Sequence, residues 1–429
     1  MLEFDGVAAA RKRRSTRRIV ALLCALASVA AIAGLLLHWL LPDYDPRFSG
    51  TGGVGFSPDG KTVAYLWDAI RAKELAKSQE GKYCRIEKWL DLRWFPLGQK
   101  GAEKSLRIWQ RTWPRIKIMG FLPMAPYSAA AFSPDGRHIV VHSPHDLVFV
   151  ELATGRKWKL THEGERIWSC AWVAGEEVAY ATIVAREGEP YLAAVWRRKI
   201  RALSKERTLV YRGLVKRGVV PRDWSPNGRY VILSGYNQET NVTQGILLDV
   251  RTGRARNLPI LQELYYVRWR PDSSLAALQC QWDRGPSYVL DPVTADLTDL
   301  SQRLATAFAN CEVYGIDSGW TADGRYLLVQ TMRELKLAPG QYSAWLVRPK
   351  PWELVSVGPD MLRPTSVPGW VLYGTPGTGQ YGFNYVTRQF VPLKPTIGPE
   401  FSPDGKWAFE GGFHPLRAYP VNLPPARPD

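Results

Sequence analysis

The chain has 429 residues, of which 56 are Lys or Arg and 40 are Asp or Glu, so its formal net charge at neutral pH is +16. This basic balance favours an anionic neighbour, such as lipid headgroups, envelope polysaccharide or an acidic protein, although general solubility explains it equally well. The five cysteines are widely spaced and form no Cys-x-x-Cys pair, which disfavours a zinc site.

The uncharged run over residues 19–41 predicts a transmembrane helix. A helix of about 34 Å is long enough to cross a hydrocarbon core of about 30 Å. A basic tail over residues 1–18 precedes the helix and a linker over residues 42–51 follows it, so the positive-inside rule places the N-terminus in the cytoplasm. The predicted location is the cell membrane, with a single pass and the remaining chain outside, where nucleic acid is not an expected partner. A cleavable signal ending near Ala31 to Ala33 is the alternative.

The sequence Ser-Pro-Asp-Gly recurs after an aromatic residue, starting at Phe56, Phe132 and Phe401, and degenerate copies start at Trp224 and Trp320. Proline fixes the first corner of a turn, Asp or Asn hydrogen-bonds its own backbone, and Gly accepts a positive φ. Each copy therefore predicts the tip of a β-hairpin. The residues with this structural role are Asp59, Gly60, Asp135, Gly136, Asn227, Gly228, Asp323, Gly324, Asp404 and Gly405.

An apolar or alternating segment follows each tip, as in Thr62 to Trp67 and His138 to His142, and predicts a strand. Further strands complete units of four antiparallel strands, which are propeller blades. A unit between Val357 and Pro395 has the strands without the motif, and the copy at Phe401 leaves two or three strands before the end. The predicted fold class is all-β: a seven- or eight-bladed β-propeller over residues 52–423, followed by a tail over residues 424–429.

These motifs resemble the WD40-like PD40 repeats of TolB-type propellers over nearly the whole of residues 52–423. The resemblance implies the fold and says little about function. TolB carries a small α/β domain before its propeller, whereas this sequence shows a transmembrane helix there. Prolyl oligopeptidase and dipeptidyl peptidase relatives add an α/β-hydrolase domain, which is not expected after residue 429.

A basic, aromatic insertion is predicted at about residues 68–118 of the first unit. Tryptophan rings suit the headgroup level of a bilayer, and Lys and Arg suit its phosphates, so this segment is a candidate membrane or partner contact. Extra blade strands are the alternative. The candidate contact residues are Lys88, Trp89, Arg93, Trp94, Arg107, Trp109, Arg111 and Trp113.

The sequence predicts no catalytic, cofactor-binding or metal-binding residue. It contains no Gly-x-Ser-x-Gly elbow, and its two Gly-x-Gly-x-x-Gly patterns lie among strands rather than before a helix. His138 and His142 share a strand face, yet surface histidines are favoured over a metal site. Cys84, Cys170, Cys280 and Cys311 could form disulfides outside the cell or remain buried thiols.

The favoured function is a non-enzymatic scaffold, anchored in the membrane, that presents loops to other envelope proteins or anionic surfaces. One alternative is a carbohydrate- or peptide-binding sensor that uses the central channel. The other is a propeller hydrolase or lyase whose acids or histidines converge only in three dimensions.

Overall fold

The computed structural model describes residues 48–78, 81–97, 99, 102–118, 129–143, 146–161, 166–173, 176–184, 191–200, 206–215, 224–237, 242–260, 262, 264–280, 285–307, 312–332, 342–374, 380–393, 399–410, 417–421 and 423. The predicted tail and transmembrane helix over residues 1–41 lie outside these ranges. Within them, no helix combines the length and the hydropathy needed to span a bilayer.

The described residues form seven β-sheets, in which strands that follow one another in sequence are neighbours. The first sheet contains β1 (Phe48–Phe56), β2 (Thr62–Ser78), β3 (Gly81–Pro96) and β4 (Lys104–Ile118). The second contains β5 (Ala129–Phe132), β6 (His138–His142), β7 (Leu147–Glu151) and β8 (Lys157–Lys159).

The next sheet has seven strands and joins two consecutive units. Its strands are β9 (Arg166–Val173), β10 (Glu177–Val184), β11 (Tyr191–Lys199), β12 (Thr208–Val215), β13 (Tyr230–Asn237), β14 (Val242–Asp249) and β15 (Arg254–Asn257). The pairing of β12 with β13 holds the two units together through Val215 and Gly235.

The remaining sheets repeat the four-stranded pattern until the last, which has three strands. One contains β16 (Leu264–Trp269), β17 (Ala276–Cys280), β18 (Ser287–Leu290) and β19 (Leu297–Asp299), after which helix α1 (Leu300–Ala307) follows. The next contains β20 (Glu312–Trp320), β21 (Leu327–Met332), β22 (Tyr342–Pro349) and β23 (Trp352–Gly358). The last two contain β24 (Leu362–Pro364), β25 (Trp370–Tyr373), β26 (Gln380–Asn384) and β27 (Gln389–Leu393), then β28 (Pro399–Phe401), β29 (Trp407–Glu410) and β30 (Arg417–Pro420).

The repeated turns join the first and second strands of their units with one geometry. Their five glycines, at positions 60, 136, 228, 324 and 405, have φ between +66° and +69°. In each turn a Ser or Thr hydroxyl donates to the Asp or Asn two residues later at 2.5–2.8 Å. The same hydroxyl accepts from the backbone N–H five residues later at 2.8–3.0 Å, which closes the turn.

The chain divides into two compact units: residues 1–48, 69–89 and 110–124 in the smaller, and residues 49–68, 90–109 and 125–429 in the larger. The core lies in the larger unit, in clusters between successive sheets. Three turn tryptophans link neighbouring four-stranded repeats. The indole N–H groups of Trp172, Trp224 and Trp320 each donate a hydrogen bond of 2.9 Å to a residue of the preceding repeat. Phe409 of the last sheet packs on Phe56 of the first, with ring centroids 5.5 Å apart. This packing of antiparallel four-stranded units is consistent with a β-propeller.

Candidate functional site

A cleft of about 820 Å³ lies beside the hairpin turns in the larger unit, and we call it the aromatic cleft. Its inner wall is a series of rings. His138 stacks on Phe149 with centroids 4.9 Å apart and planes at 28°, and Trp158 lies 5.2 Å beyond Phe149. Trp172 contacts Phe149 edge-on at 6.2 Å. Phe149 and Trp172 are buried, whereas Trp158 is 36% exposed, so Trp158 offers its ring to a ligand.

The local sequence explains this wall. The turn at Ser133 to Gly136 starts β6 at His138, and the register places His138 opposite Glu151 and Trp158 opposite Phe149. The residue two positions after the turn residue with positive φ is a histidine only in this turn; its counterparts in the other described turns are Thr62, Tyr230, Leu275, Tyr326 and Trp407. The aromatic cleft is therefore a departure from the repeat rather than a product of it.

His138 Nδ1 lies 3.6 Å from the Asp135 carboxylate. Burial alone would raise the pKa of Asp135, but the hydrogen bonds from Ser133 and Arg137 outweigh it and hold that pKa below its ordinary value. Asp135 is therefore a carboxylate at neutral pH, and an adjacent carboxylate can orient an imidazole for proton transfer.

Charged side chains border the rings. Four lining residues are cationic, Lys104, Arg137, Lys159 and Arg198, and two are acidic, Glu151 and Glu176. The Arg137 guanidinium donates to Asp135 at 2.9 Å, and Lys159 forms an ion pair with Asp146. Among the described residues, no partner is found for the exposed ammonium of Lys104. Lys104 therefore presents a positive charge beside an aromatic surface, which suits a ring-shaped ligand that carries a carboxylate.

The sequence-predicted contact residues are distributed over both compact units. In the larger unit, Trp94 is buried and lines the aromatic cleft, and Arg93 lies 3.1 Å from Glu103 and over the ring of Trp67. Arg107 forms an ion pair with Asp91, and Trp109 packs against the core of the first two sheets.

In the smaller unit, Lys88 is buried, Trp89 is half-buried and Arg111 is exposed. The side chain of Trp113 lies outside the described residues. The membrane or partner contact stays a prediction.

The considered metal pair is not brought together. His138 and His142 share a face of β6, but four residues of strand separate them by about 13 Å. His142 is buried, its Nδ1 has no hydrogen-bond partner among the described residues, and burial lowers its pKa to about 4. Within the described ranges, no group of three possible metal ligands occurs.

Cys170 and Cys280 are free thiols, and burial raises the pKa of each to about 12. Cys311 and the side chain of Cys84 lie outside the description.

The residues that build the aromatic cleft could not be predicted from the sequence. Phe149, Trp158 and Lys104 come from different strands, and only the sheet register brings them together. The available signal was His138, the one histidine at a position where the other turns have Thr, Tyr, Leu or Trp.

The fold is similar to solved structures of low sequence identity. Oligogalacturonate lyase from Vibrio parahaemolyticus is 11% identical with a TM-score of 0.45, over 65% of this chain and 84% of that one. Acylaminoacyl peptidase from Pyrococcus horikoshii is 11% identical with a TM-score of 0.46, and dipeptidyl peptidase 4 from Porphyromonas gingivalis is 9% identical with a TM-score of 0.48. Each peptidase match covers 82% of this chain and about half of the peptidase. No family model matches the chain, and a search of curated proteins found no match.

These comparisons correct one prediction. The sequence favoured a non-enzymatic scaffold over an enzyme, but the solved structures similar to this chain are a lyase and peptidases. The scaffold prediction is therefore wrong by this comparison. The activities of those enzymes do not transfer to this chain, because identities of 9–11% and TM-scores below 0.5 are too low to carry them.

Proposed function

We propose that this protein is an eight-bladed propeller of the PD40 type that binds an acidic carbohydrate in the aromatic cleft. The observation that carries the proposal is the ring series His138, Phe149 and Trp158, bordered by the exposed ammonium of Lys104. The eight consecutive β-units in the described residues support the blade number.

The chemistry of the cleft favours uronic-acid sugars over neutral ones. The apolar C–H face of a sugar ring packs on an exposed aromatic face, and Trp158 provides that face at the surface end of the series. A sugar carboxylate then pairs with Lys104 at the rim, where a charge-assisted hydrogen bond fixes orientation. A cleft of about 820 Å³ also lies within the range of known ligand sites.

The second candidate function is a hydrolase or lyase acting on the same carbohydrate. The specific observation that favours it is the placement of the His138 imidazole, between the Asp135 carboxylate and the aromatic wall. In that role His138 accepts a proton from the substrate or from an attacking water, and Asp135 holds the imidazole in orientation.

Isothermal titration calorimetry of the full chain in detergent micelles tests the carbohydrate binding on which both candidate functions depend. The ligands are a uronic-acid hexasaccharide and the same hexasaccharide with its carboxyl groups reduced. We expect the acidic form to bind at least about tenfold more tightly, and Trp158→Ala to weaken it by about tenfold, equal to ~1.4 kcal/mol. Phe390→Ala is the matched control, because Phe390 is an exposed aromatic residue of β27 that does not line the aromatic cleft.

Equal affinity for the two hexasaccharides would overturn the proposal, and stronger binding of a glutamate peptide would assign the cleft to peptides. Product analysis of the same mixtures decides the second candidate. Cleavage that disappears in His138→Gln while binding is retained supports an enzyme. Binding without cleavage in the unaltered protein supports a sensor.

We also propose that residues 19–41 anchor the propeller outside the cell membrane. The uncharged run and the basic tail before it support this location. Protease protection in sealed vesicles tests it, since a cytoplasmic propeller would be protected in right-side-out vesicles and an extracytoplasmic one would be digested.

A further inference from the structure

A second cleft, of about 700 Å³, lies in the larger unit beside the turn at Thr321 to Gly324, and we call it the arginine cleft. Four of its lining residues are cationic, Arg270, Arg325, Arg348 and Lys350, and two are acidic, Asp291 and Asp323. Trp320 forms part of its wall, with the Arg270 guanidinium 6.0 Å from the ring centroid.

The repeat shows why positive charge accumulates there. In the unit of β13 to β15, Arg229 follows the turn glycine and donates to Asp249 at 3.0–3.1 Å. Asp249 lies opposite Tyr230 in the register of β13 and β14. In the unit of β20 to β23, the residue after the turn glycine is Arg325, and the register places Arg348 at the position of Asp249. An acid that neutralises the turn arginine is thus replaced by a second arginine.

Other units also keep an acid at this position. Glu151 lies opposite His138, and the register of β17 and β18 places Asp291 opposite Leu275. The Asp291 carboxylate accepts a hydrogen bond from the backbone N–H of Val293 at 3.0 Å. The Asp249 carboxylate accepts the equivalent hydrogen bond from Arg251. The acid therefore supports the second turn of the unit. Arg348 has no acceptor atom for this backbone N–H, so the second turn of its repeat loses the hydrogen bond. A ligand site at this position would explain why the loss is tolerated.

The cations of the arginine cleft are held in place and only partly neutralised. Arg270 Nε donates to the Gly324 carbonyl at 2.7 Å, and its Nη1 lies 3.6 Å from the Asp272 carboxylate. Arg348 donates to the Tyr326 hydroxyl at 3.0 Å and contacts Glu353 at 3.1 Å. Lys350 has one distant acid, Asp291, at 3.8 Å. Among the described residues, neither the Arg325 guanidinium nor Arg348 Nε has a hydrogen-bond partner, and the latter atom is buried.

The geometry points to a binding site for a phosphate monoester in the arginine cleft. The Arg325 guanidinium and Arg348 Nε have no hydrogen-bond partner among the described residues, and planar guanidinium groups bind phosphate oxygens through paired N–H donors. A phosphomonoester is largely dianionic at pH 7 because its second pKa is about 6. Trp320 provides an apolar surface for the organic part of the ligand. This site is independent of the aromatic cleft and of the proposed function.

Calorimetric titration of the full chain in micelles tests the site with phenyl phosphate and with its methyl diester, a monoanion of similar shape. We expect phenyl phosphate to bind at least tenfold more tightly than the diester. Arg325→Gln and Arg348→Gln should each weaken it at least tenfold, and Arg325→Lys should weaken it less because the charge remains. Lys406→Gln, at the corresponding exposed position of the last turn, is the matched control and should change nothing.

Two outcomes overturn the inference: equal binding of the ester and the diester, or full affinity in Arg325→Gln. Because the Arg325 guanidinium has no partner among the described residues, its replacement should leave the melting temperature unchanged, and that measurement excludes unfolding as the cause of lost binding. Short-chain phosphatidate that competes with phenyl phosphate would identify a lipid headgroup as the natural source of the phosphate. Absence of competition would identify a soluble phosphomonoester.

Discussion

The aromatic cleft and the arginine cleft are built from the same repeat, and each is lined by four cationic and two acidic residues, yet they suit different ligands. In the aromatic cleft the rings are the distinguishing feature. In the arginine cleft the acid that would neutralise Arg325 is replaced by Arg348. The comparison shows that one changed position in a repeat can decide what its turn binds. That position is His138, at the start of the second strand, in one cleft and Arg348, near the end of the third strand, in the other.

The largest effect should come from His142, the buried histidine of β6 that lies four residues after His138 of the aromatic cleft. His142 is buried and its pKa is lowered to about 4, whereas an unfolded histidine titrates near pH 6.5. The unfolded chain thus binds the extra proton between these values, so stability should fall as pH drops from about 6.5 to 4, by roughly 3 kcal/mol in total.

Thermal unfolding across this pH range checks the expectation. His142→Leu, which places the residue found at the same position of the first sheet, Leu66, should flatten the pH dependence. An unchanged slope would show that other groups cause the acid loss and that His142 is hydrated.

The next effect should come from restoring the repeat in the arginine cleft. Arg348→Asp recreates the arrangement of Arg229 and Asp249, so the new acid should pair with Arg325 and exclude an anion. We expect phenyl phosphate affinity to fall by about 30-fold, equal to ~2 kcal/mol, with uronic-acid binding unaffected. Calorimetry with both ligands measures this, and a loss at both clefts would contradict their independence.

A matched pair of turn glycines should distinguish the clefts with a smaller effect. Gly136 borders the aromatic cleft and Gly324 the arginine cleft, with φ of +69° and +68°. Alanine at either position should cost about 1–2 kcal/mol of stability because of its left-handed backbone. Only at Gly324 would the new Cβ press on a ligand-site side chain, since it would lie 2.9 Å from Arg270 Nε.

Gly324→Ala should therefore weaken phosphate binding several-fold, whereas Gly136→Ala should leave it intact. Chemical denaturation gives the stability change and calorimetry the affinity. Equal phosphate affinity in both variants would show that Arg270 does not contribute to the phosphate site.

The smallest effect should be a difference in salt dependence. Phosphate binding relies on charge, so raising the ionic strength from about 0.05 to 0.5 M should weaken it several-fold more than uronic-acid binding, which also uses ring packing. Titrations at the two salt concentrations measure the ratio. A steeper dependence in the aromatic cleft would show that its rings contribute little.

The sequence predicted the architecture because turn chemistry is local. Pro58, Asp59 and Gly60 specify their hairpin within four residues, and the strand at His138 to His142 agrees with the structure residue for residue. The sequence did not predict the clefts, because the contact of Phe149 with Trp158 and the placement of Arg348 opposite Tyr326 depend on strand register. A residue-by-residue comparison of the repeats, with His138 and Arg348 as the exceptions, was the signal that pointed to both sites.

The most direct test of the proposed function is fluorine NMR of the full chain in micelles with 5-fluorotryptophan, during titration with the uronic-acid hexasaccharide. Trp158→Phe assigns the resonance of the exposed ring. We expect the Trp158 signal to shift with saturation while that of Trp320, in the arginine cleft, stays in place. A hexasaccharide that binds and shifts other tryptophans but leaves Trp158 unchanged would contradict the placement of the ligand in the aromatic cleft.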